Sequence, residues 1–482
     1  HEVCCPEWGV MASDGARGIL DDPELEHLSG RGFSLRPVAN FVLFCIFIVA
    51  FTVDSVAYWD SNHGGFARYL ERRCEEGPTK LSTVNSAKLF YTFLNTTISD
   101  FLYLQHYNSS GLGVPDVGVL PVDDKNFIVG AVRVRMMKVL PNTGCEMGAV
   151  YRDLYRYCYP AWGAGLEDRA TFGNPDAFVH TVDDEGSSYS GELDRYGPNG
   201  FMQYLTTNRT RTGEIVWTME RQGYVTVATR AIFLDFTVWS RDIATYGVVR
   251  ILFELGPSGT WTNTLRVLPV DSFSIQPTID TMPVGRALTF ALLLAFVLFY
   301  AAEELSEFCV AKVEYFRDGW NLLDWVNLIL LFVSLMHRAL AIAQAGGARF
   351  GLRELADPGF YQDAFTLAES VHFVRTLNAF NSVLLWVKVV KYARFLPFVK
   401  LFALTIKTAW QAFVSFAFIF IFLFVGFSVS FTVSFGNRLP QLASFGKTLI
   451  FLSRSFLGDT DTSVIYESHN LLGGSLLLMF IV

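Results

Sequence analysis

The residues best suited to chemistry lie near the end of the chain, in Phe456-Leu457-Gly458-Asp459-Thr460-Asp461, between two apolar segments of membrane length. Backbone that is not helical persists at membrane depth only where it is buried in protein or lines water, so this interruption indicates a conduction path. Copies of Asp459 around an axis would form a ring of carboxylates that binds metal cations, and Gly458 would let main-chain carbonyls turn towards the ions. We therefore predict an ion filter at Leu457, Gly458, Asp459 and Asp461.

A short amphipathic helix is expected directly before this filter, from Ser444 to Phe456. Its partly negative carboxyl end would point at the filter and would also favour cations. Lys447 and Arg454 lie on this helix and would repel cations if they faced the axis, so we expect both to point into the protein or to the outer rim. The alternative is that Gly-Asp-Thr-Asp is an ordinary surface turn, since Gly and Asp are common turn formers.

The segments that must position this filter are long and apolar. The chain has 482 residues, of which 51% are hydrophobic, and its net charge of -8 offers no basic surface for nucleic acid. Runs close to the ~20 residues that cross a bilayer predict six transmembrane helices, at 37–57, 284–302, 321–341, 376–397, 410–435 and from 471 onwards. We predict no enzyme, because no nucleophile and base stand together and the histidines are scattered at His180, His337, His372 and His469.

Residues 1–36 are acidic and carry no signal-peptide pattern, so we predict a cytosolic N-terminal segment. Arg31 and Arg36, just before the first span, favour an inside start. Cys4 and Cys5 could be palmitoylated, ligate a metal or remain reduced thiols. The chain begins with His and stops within an apolar run, so we expect it to be a fragment of a longer protein.

Residues 58–283, between the first and second spans, are mixed and polar in composition and are expected to form a domain, here called the intervening domain. Apolar residues at roughly helical spacing predict a helix that Pro78-Thr79-Lys80 opens and that continues to Leu102. Runs rich in β-branched and aromatic residues predict strands at Val129–Leu140, Tyr224–Ala228, Thr229–Trp239 and Tyr246–Leu255. An α+β fold is therefore expected for this domain.

Two features place the intervening domain on the extracellular or luminal side. Every glycan acceptor triplet of the chain falls within it, at Asn95, Asn108 and Asn208. Cys145 and Cys158 bracket a short loop, and an oxidising compartment would join them in a disulfide; two free buried cysteines are the alternative. Cys74 would then be left unpaired on this side of the membrane.

Residues 284–400 are expected to form a voltage-sensor-like domain, because its spans carry charges at membrane depth. The fourth span has three basic residues at a spacing of three, which places on one helical stripe Lys388, Lys391 and Arg394. Each costs about 2.5–3.5 kcal/mol at mid-membrane, so they need partners, which Asp324 with Glu303 or Glu304 could supply. Weak voltage sensing and simple anchoring at the cytosolic interface both fit this pattern.

Residues 401–482 are expected to form the pore domain, with the fifth span, the short helix, the filter and a truncated sixth span. Lys400 and Lys407 flank a short connecting helix that is expected after the fourth span. Their positive charge lies on the side opposite the glycan acceptors, so charge and glycan positions predict the same topology.

A family resemblance is carried by Asn142-Thr143-Gly144-Cys145 with Tyr157-Cys158, Glu167–Gly173, Thr229–Val238, Glu303-Glu304-Leu305, Tyr315–Asp324 and Leu457-Gly458-Asp459. These segments are similar to those of polycystin-2-type channels of the transient receptor potential family. The resemblance runs from the first span to the start of the sixth and does not extend visibly to residues 1–30. It departs at Asp461, where the family tends to carry an amide or an apolar residue, and the fourth-span basic residues match only in part.

The resemblance implies a subunit of a homotetrameric, non-selective, calcium-permeable cation channel whose intervening domain is a polycystin domain that contacts its copies. No cofactor is required; the expected ligands are permeant Ca2+, Na+ and K+, N-linked glycans and bound lipid. The expected partners are copies of this chain or related polycystin subunits, membrane lipids and an extracellular-matrix or ciliary partner. The expected location is a ciliary or flagellar membrane or the endoplasmic reticulum.

The expected fold class is thus a six-span α-helical membrane protein, with a voltage-sensor-like domain, a pore domain and an α+β extracellular polycystin domain between the first two spans. A function of another class stays open: a receptor-like or matrix-anchoring subunit whose intervening domain binds a partner and in which conduction is secondary. The intact Gly458-Asp459 pair favours conduction, because a non-conducting pore would be expected to carry a basic or bulky filter.

Overall fold

The computed structural model divides into two compact units, Ala39–Val389 and Leu35–Val38 with Val390–Val482. The residues that it describes are 35–57, 61–103, 120–121, 123, 125–152, 154–183, 186–206, 208–271, 284–347, 361, 363–459, 461, 463–468 and 470–481. Residues 1–34 of the expected N-terminal segment, with Cys4 and Cys5, lie outside the described residues, as do the glycan acceptor Asn108 and His469.

The helices and strands follow the expected order of one span, a mixed domain and further spans. The α-helices are α1 (Leu35–Ala57), α2 (Ser61–Glu75), α3 (Ala87–Phe93), α4 (Ser99–Leu102), α5 (Arg209–Arg221), α6 (Val284–Ala311), α7 (Gly319–Gly347), α8 (Phe365–Tyr392), α9 (Pro397–Phe435), α10 (Phe445–Phe456), α11 (Ser463–Ser468) and α12 (Asn470–Ile481). The strands are β1 (Leu120–Pro121), β2 (Asn126–Lys138), β3 (His180–Thr181), β4 (Tyr189–Ser190), β5 (Arg195–Tyr196), β6 (Gly200–Leu205), β7 (Thr229–Ser240), β8 (Thr245–Leu255) and β9 (Trp261–Asp271).

Among the described residues, five helices are long and apolar enough to cross a membrane: α1, α6, α7, α8 and α9. The predicted sixth span corresponds to α12, which has 12 residues. The helix that corresponds to the predicted fourth span at 376–397 begins earlier than that span, since α8 starts at Phe365. No separate connecting helix follows it either: Pro397 occupies the first turn of α9, which then runs unbroken to Phe435 because no further proline interrupts it.

The intervening domain is built on an antiparallel sheet in the order β3-β6-β2-β7-β8-β9, with β1 also paired to β2. The predicted strands at 129–140, 229–239 and 246–255 are confirmed with shifted ends as β2, β7 and β8. The register between β2 and β7 shifts between Val129 and Arg133, where Gly130 has a φ of 74°. A glycine adopts this left-handed conformation without strain, so the long strand can bend at a bulge.

Two predictions for the intervening domain are wrong. Residues 224–228 form a turn between α5 and β7, and the Tyr224 side chain is fully buried in the core. The predicted helix does not open at Pro78: Ser86 accepts a hydrogen bond from the Leu89 backbone and caps α3, which continues through a π-helical turn at Leu94–Ile98 into α4. A serine at this position satisfies a backbone N–H that the first helical turn leaves free.

Both faces of the central strands are covered. On one face, alternate residues of β2 and β7 pack against α2, α3 and α5, so that Val134 and Leu234 have no exposed surface. On the other face lie a second apolar cluster with Tyr189 and Tyr196 and the first turns of α8, from Ala364 to Val371. The fourth-span helix therefore begins as part of the core of the intervening domain.

Charged residues of the second face form one buried ion network. Arg133, Asp235 and Arg250 stand side by side on β2, β7 and β8, with Arg133 Nη2 at 3.0 Å and Arg250 Nε at 2.6 Å from the Asp235 carboxylate. Asp363, just before α8, lies 3.4 Å from Arg133 and 3.3 Å from Arg250. Asp183 completes the network at 2.9 Å from Arg133. Two arginines thus meet three carboxylates, and the network joins the start of α8 to the sheet.

The network explains why the pKa of Asp235 lies well below its usual value. Burial alone would raise the pKa of Asp235, but Arg250 and Arg133 outweigh burial and lower this pKa to about 2. A carboxyl group whose pKa falls on folding stabilises the folded state above its unfolded pKa of about 4. This stabilisation is present at neutral pH and is lost as the pH falls from about 4 through about 2.

The predicted disulfide is confirmed: Cys145 and Cys158 are bonded, with their Cα atoms 6.2 Å apart. Asn142 supports the same loop, since its Oδ1 atom accepts a hydrogen bond from the Cys158 backbone at 3.0 Å. Cys74 is a free cysteine with no exposed surface in the main core, and burial raises its pKa to about 12. Cys74 therefore acts as a small apolar core residue, which accounts for the odd cysteine.

We predict that Asp235→Asn destabilises the folded chain by about 3 kcal/mol, because two buried arginines lose a shared counterion. Thermal unfolding of detergent-purified protein, followed by tryptophan fluorescence, should show a Tm lower by roughly 3–6 °C. The matched control is Asp242→Asn, which removes an exposed pair with Lys125 and should cost no more than about 1 kcal/mol. Equal Tm values for the two variants would contradict the prediction.

Candidate functional site

The predicted short helix before the filter is confirmed as α10. The Ser444 side chain accepts a hydrogen bond from the Lys447 backbone and so caps its first turn. Thr448 is fully buried, lies 2.8 Å from the Thr432 hydroxyl of α9 and donates to the Leu442 carbonyl. Buried apolar residues fix the same contact, namely Phe431, Phe435, Leu442, Phe451, Leu452 and Ile465. The helix is therefore held firmly against the fifth span.

The candidate filter residues form the carboxyl end of α10. Gly458 has a φ of 77°, its N–H donates to the Ser455 carbonyl at 3.0 Å, and the Asp459 N–H donates to the Arg454 carbonyl at 2.9 Å. This is the Schellman arrangement that ends a helix at a left-handed glycine. Leu457 is 79% exposed, so its side chain makes little contact within this chain. The glycine is thus required by the helix end itself.

Of the two positions predicted for Arg454, the protein interior is excluded, because its side chain is 59% exposed. Its Nε atom lies 3.1 Å from Asp459 Oδ2, and its Nη2 donates to the Asp459 carbonyl at 3.3 Å. Lys447 on the first turn of the same helix is exposed. A helical residue in the last turn lies close to the turn that follows it, which is why Arg454 and not Lys447 reaches the acid.

The second acid of the candidate filter has a local structural role. Asp461 Oδ1 accepts a hydrogen bond from the Ser463 backbone at 2.9 Å, at the start of α11. An aspartate that bonds the backbone two residues ahead forms a common turn. The structure therefore places Asp459 and Asp461 in one short exposed segment between α10 and α11.

A polar seam joins the third-span helix α7 and the fourth-span helix α8. Lys388 Nζ lies 2.8 Å from Asp324 Oδ1, as the charges in the sequence predict, and both side chains are almost completely buried. Lys388 also donates to Asn327 Oδ1 at 3.2 Å, and further along Ser334 donates to Asn378. The sequence indicated only the charged residues of this seam, because neutral Asn and Ser residues are not conspicuous in an apolar run.

The other predicted voltage-sensor-like residues are distributed differently. Glu304 is buried and accepts a hydrogen bond from the Tyr315 hydroxyl, and Glu303 is half-buried. Lys391 lies on the last turn of α8, but Arg394 belongs to a 3-10 turn at Ala393–Phe395 after the helix. The predicted single stripe therefore ends before Arg394, where the chain turns towards Pro397.

Sequence inspection missed one buried ion pair between spans. Arg338 near the end of α7 lies 2.7 Å from Asp54 near the end of α1, and the two side chains are 7% and 3% exposed. Only the isolated charge in each apolar run could have signalled it. The pair joins the carboxyl end of α1, which leads into the intervening domain, to the carboxyl-terminal part of α7, so these two helices run in the same direction.

The described glycan acceptors are accessible. Asn95 is exposed on the π-helical turn after α3, and Asn208 is exposed at the start of α5. The Oδ1 atom of Asn208 accepts hydrogen bonds from the Thr210 and Arg211 backbone, which caps α5. This cap leaves the side-chain nitrogen of Asn208 at the surface, where a glycan would be attached.

Comparison with known proteins assigns both parts of the chain. A family model described as "Polycystin domain" matches residues 80–273, and one described as "Polycystin cation channel" matches residues 280–482. The chain belongs to the polycystin family. This family consists of ion channels rather than enzymes, and with its membrane-spanning helices the chain is a membrane protein.

Several curated polycystins are similar over most of the chain. Polycystin-2-like protein 1 of Homo sapiens is 24% identical over 460 residues, 93% of this chain and 55% of that protein. Polycystin-2 of Danio rerio is 25% identical over 450 residues, 91% of this chain and 48% of that protein. The polycystin family receptor for egg jelly of Mus musculus is 24% identical over 359 residues, 68% of this chain and 16% of that protein. The chain spans about half the length of the first two.

We predict that Asp324→Asn lowers the stability of the spans by about 3–5 kcal/mol, because Lys388 would keep its charge without its carboxylate. The double variant D324L/K388M should recover most of this loss, since both buried charges disappear together. The measurement is thermal unfolding of the detergent-purified chain, with cell-surface abundance as a second reading. A double variant no more stable than the single one would show that the pair does not act as a unit.

Proposed function

We propose that this chain is a subunit of a homotetrameric, non-selective, calcium-permeable cation channel. The supporting observation is the exposed turn that follows α10: Asp459 is 73% exposed at the carboxyl end of a helix that is itself packed firmly against the fifth span. The membership of the chain in a cation-channel family supports the same function. Four copies would place four such turns around an axis.

The proposed filter consists of Leu457, Gly458 and Asp459, with Asp461 as a second acidic position. The aligned peptide dipoles of α10 give its carboxyl end a partial negative charge that favours cations. The Asp459 carboxylate adds a full charge at the same place and is the position proposed to bind a metal ion. Permeant Ca2+, Na+ and K+ are the proposed ions, and no other cofactor is required.

The proposed assembly and surroundings follow from the same family and from the surface of the chain. The partners are other copies of this chain or related polycystin subunits, with lipid around the exposed apolar faces of the spans. Glycans at Asn95, Asn108 and Asn208 would place the intervening domain outside the cell or in a lumen. A ciliary or flagellar membrane or the endoplasmic reticulum is the proposed location.

We propose weak voltage sensing for α8 and the turn that follows it. Lys388 is buried and paired, whereas Lys391 and Arg394 are half-buried near the end of the helix. Moving one charge across 100 mV is worth about 2.3 kcal/mol, so even a small displacement in several subunits can bias a gate. Anchoring of the helix at the interface is the competing role for these two residues.

A second candidate function is a receptor-like or matrix-anchoring subunit. The disulfide-bonded loop exposes large apolar side chains, with Val150 79%, Leu154 72% and Tyr155 63% exposed. Exposed apolar patches often mark contacts with another protein, and in this function the partner would be extracellular or ciliary. Conduction would then be secondary, and loss of the filter charge would leave the main function intact.

The filter is tested by Asp459→Asn, which removes the proposed ring charge and keeps the side-chain shape. We expect calcium current in whole-cell patch recordings to fall about tenfold, while surface abundance stays unchanged. The matched control is Asp461→Asn, an acid in the same segment that caps α11, for which we expect a smaller loss. Unchanged calcium permeation in Asp459→Asn would refute the filter and favour the receptor-like function.

Voltage sensing is tested by neutralising Lys391 and Arg394 together to Gln. We expect a shallower conductance–voltage curve with a shifted midpoint, because less charge crosses the field on gating. The matched control is Lys400→Gln, an exposed lysine on α9 beyond the fourth span. Curves that superimpose on those of the parent chain would leave both residues as interfacial anchors.

A further inference from the structure

One basic side chain of α10 reaches the proposed filter. The Arg454 Nε atom lies 3.1 Å from Asp459 Oδ2, and Arg454 Nη2 donates to the Asp459 carbonyl at 3.3 Å. The Asp459 N–H in turn donates to the Arg454 carbonyl at 2.9 Å. Arg454 is thus bonded to both the carboxylate and the main chain of the same filter residue.

This pairing changes the charge that a permeating ion meets. A ring of free carboxylates attracts divalent cations more than monovalent ones, because Coulomb energy is proportional to the charge of the ion. In this chain each carboxylate carries its own guanidinium at 3.1 Å. Around the channel axis, a ring of Arg454–Asp459 pairs has little net charge. The partial negative charge at the carboxyl end of α10 then remains as the main source of cation attraction.

We propose that Arg454 is a specificity-determining residue of the filter: it offsets the charge of Asp459 and so lowers the preference for divalent over monovalent cations. This inference rests on the proposed function, since it requires Asp459 to face the ions. Arginine suits the position because its planar group can bond a carboxylate and a carbonyl at once, whereas lysine supplies a point charge.

The expected effect is on permeation rather than on folding. Arg454 and Asp459 are 59% and 73% exposed, and exposed ion pairs contribute little to stability. The turn does not depend on the pair either, because Gly458 and the backbone bonds to Ser455 and Arg454 already end the helix. Removal of the guanidinium therefore leaves the backbone in place and the carboxylate uncompensated.

The test is a set of full-length variants in whole-cell patch recordings, with the calcium-to-sodium permeability ratio obtained from reversal potentials. Arg454→Gln should raise this ratio at least about twofold, since the carboxylate keeps its charge. Arg454→Lys should stay close to the parent chain, because a cation is retained. The matched control is Lys447→Gln, which removes the same charge from the first turn of the same helix and should leave the ratio unchanged.

The double variant R454Q/D459N decides whether Arg454 acts through Asp459. If it does, the permeability ratio of R454Q/D459N returns close to that of the parent chain and lies below that of Arg454→Gln, because the paired ring and the doubly neutralised ring both carry little net charge. An unchanged ratio in Arg454→Gln would overturn the proposal. An equal rise in Arg454→Gln and Arg454→Lys would also overturn it, since charge would then not be the cause.

Failure of this inference can be distinguished from failure of the proposed function. If Asp459→Asn alters permeation and Arg454→Gln does not, the filter stands and Arg454 has no part in its selectivity. If neither variant alters permeation in a chain that conducts, the filter assignment itself is wrong, and the inference about Arg454 falls with it.

Discussion

A buried charge must meet an opposite charge, and this requirement determines how the elements of the first unit pack. Lys388 fixes the register of α8 against α7 through Asp324, with both side chains at most 2% exposed. Asp363 fixes the start of α8 on the sheet through Arg250 and its neighbours. An unpaired charge at either place would cost several kcal/mol, more than most single apolar contacts contribute. The fourth-span helix is therefore held by charge at both ends.

The sequence predicted the membrane pair better than the network in the sheet. A lysine and an aspartate in apolar helices are conspicuous, so Asp324 could be named as a partner of Lys388 from residue types alone. In β2, alternation of Arg133 and Arg135 with apolar residues is typical of a strand with one face in water. One ion-pair partner of Arg133 is Asp363, which follows the second and third spans in the chain. No local sequence pattern shows that such distant segments meet.

Local signals predicted local features, and their failures have local causes. The disulfide was predicted from two cysteines that bracket a short loop, and the helix α10 from a short amphipathic run; both are present. The predicted strand at 224–228 is absent because its aromatic residue packs in the core from a turn. The Tyr224 hydroxyl donates to the Phe201 carbonyl within the intervening domain. A β-branched and aromatic composition indicates burial in general and does not distinguish a strand from a buried turn.

The filter sequence is where local and functional explanations coincide. Gly458 would be needed to end α10 in any protein, so it does not by itself indicate a pore. What is unusual is the next residue, because an acid at the negative end of a helix is electrostatically unfavourable unless a cation lies beside it. Within this chain the cation is Arg454. The Asp459 carboxylate and the carboxyl end of α10 place negative charge at this turn, and the exposed ion pair with Arg454 compensates it. Because the pair is exposed, a mobile cation can replace the guanidinium there.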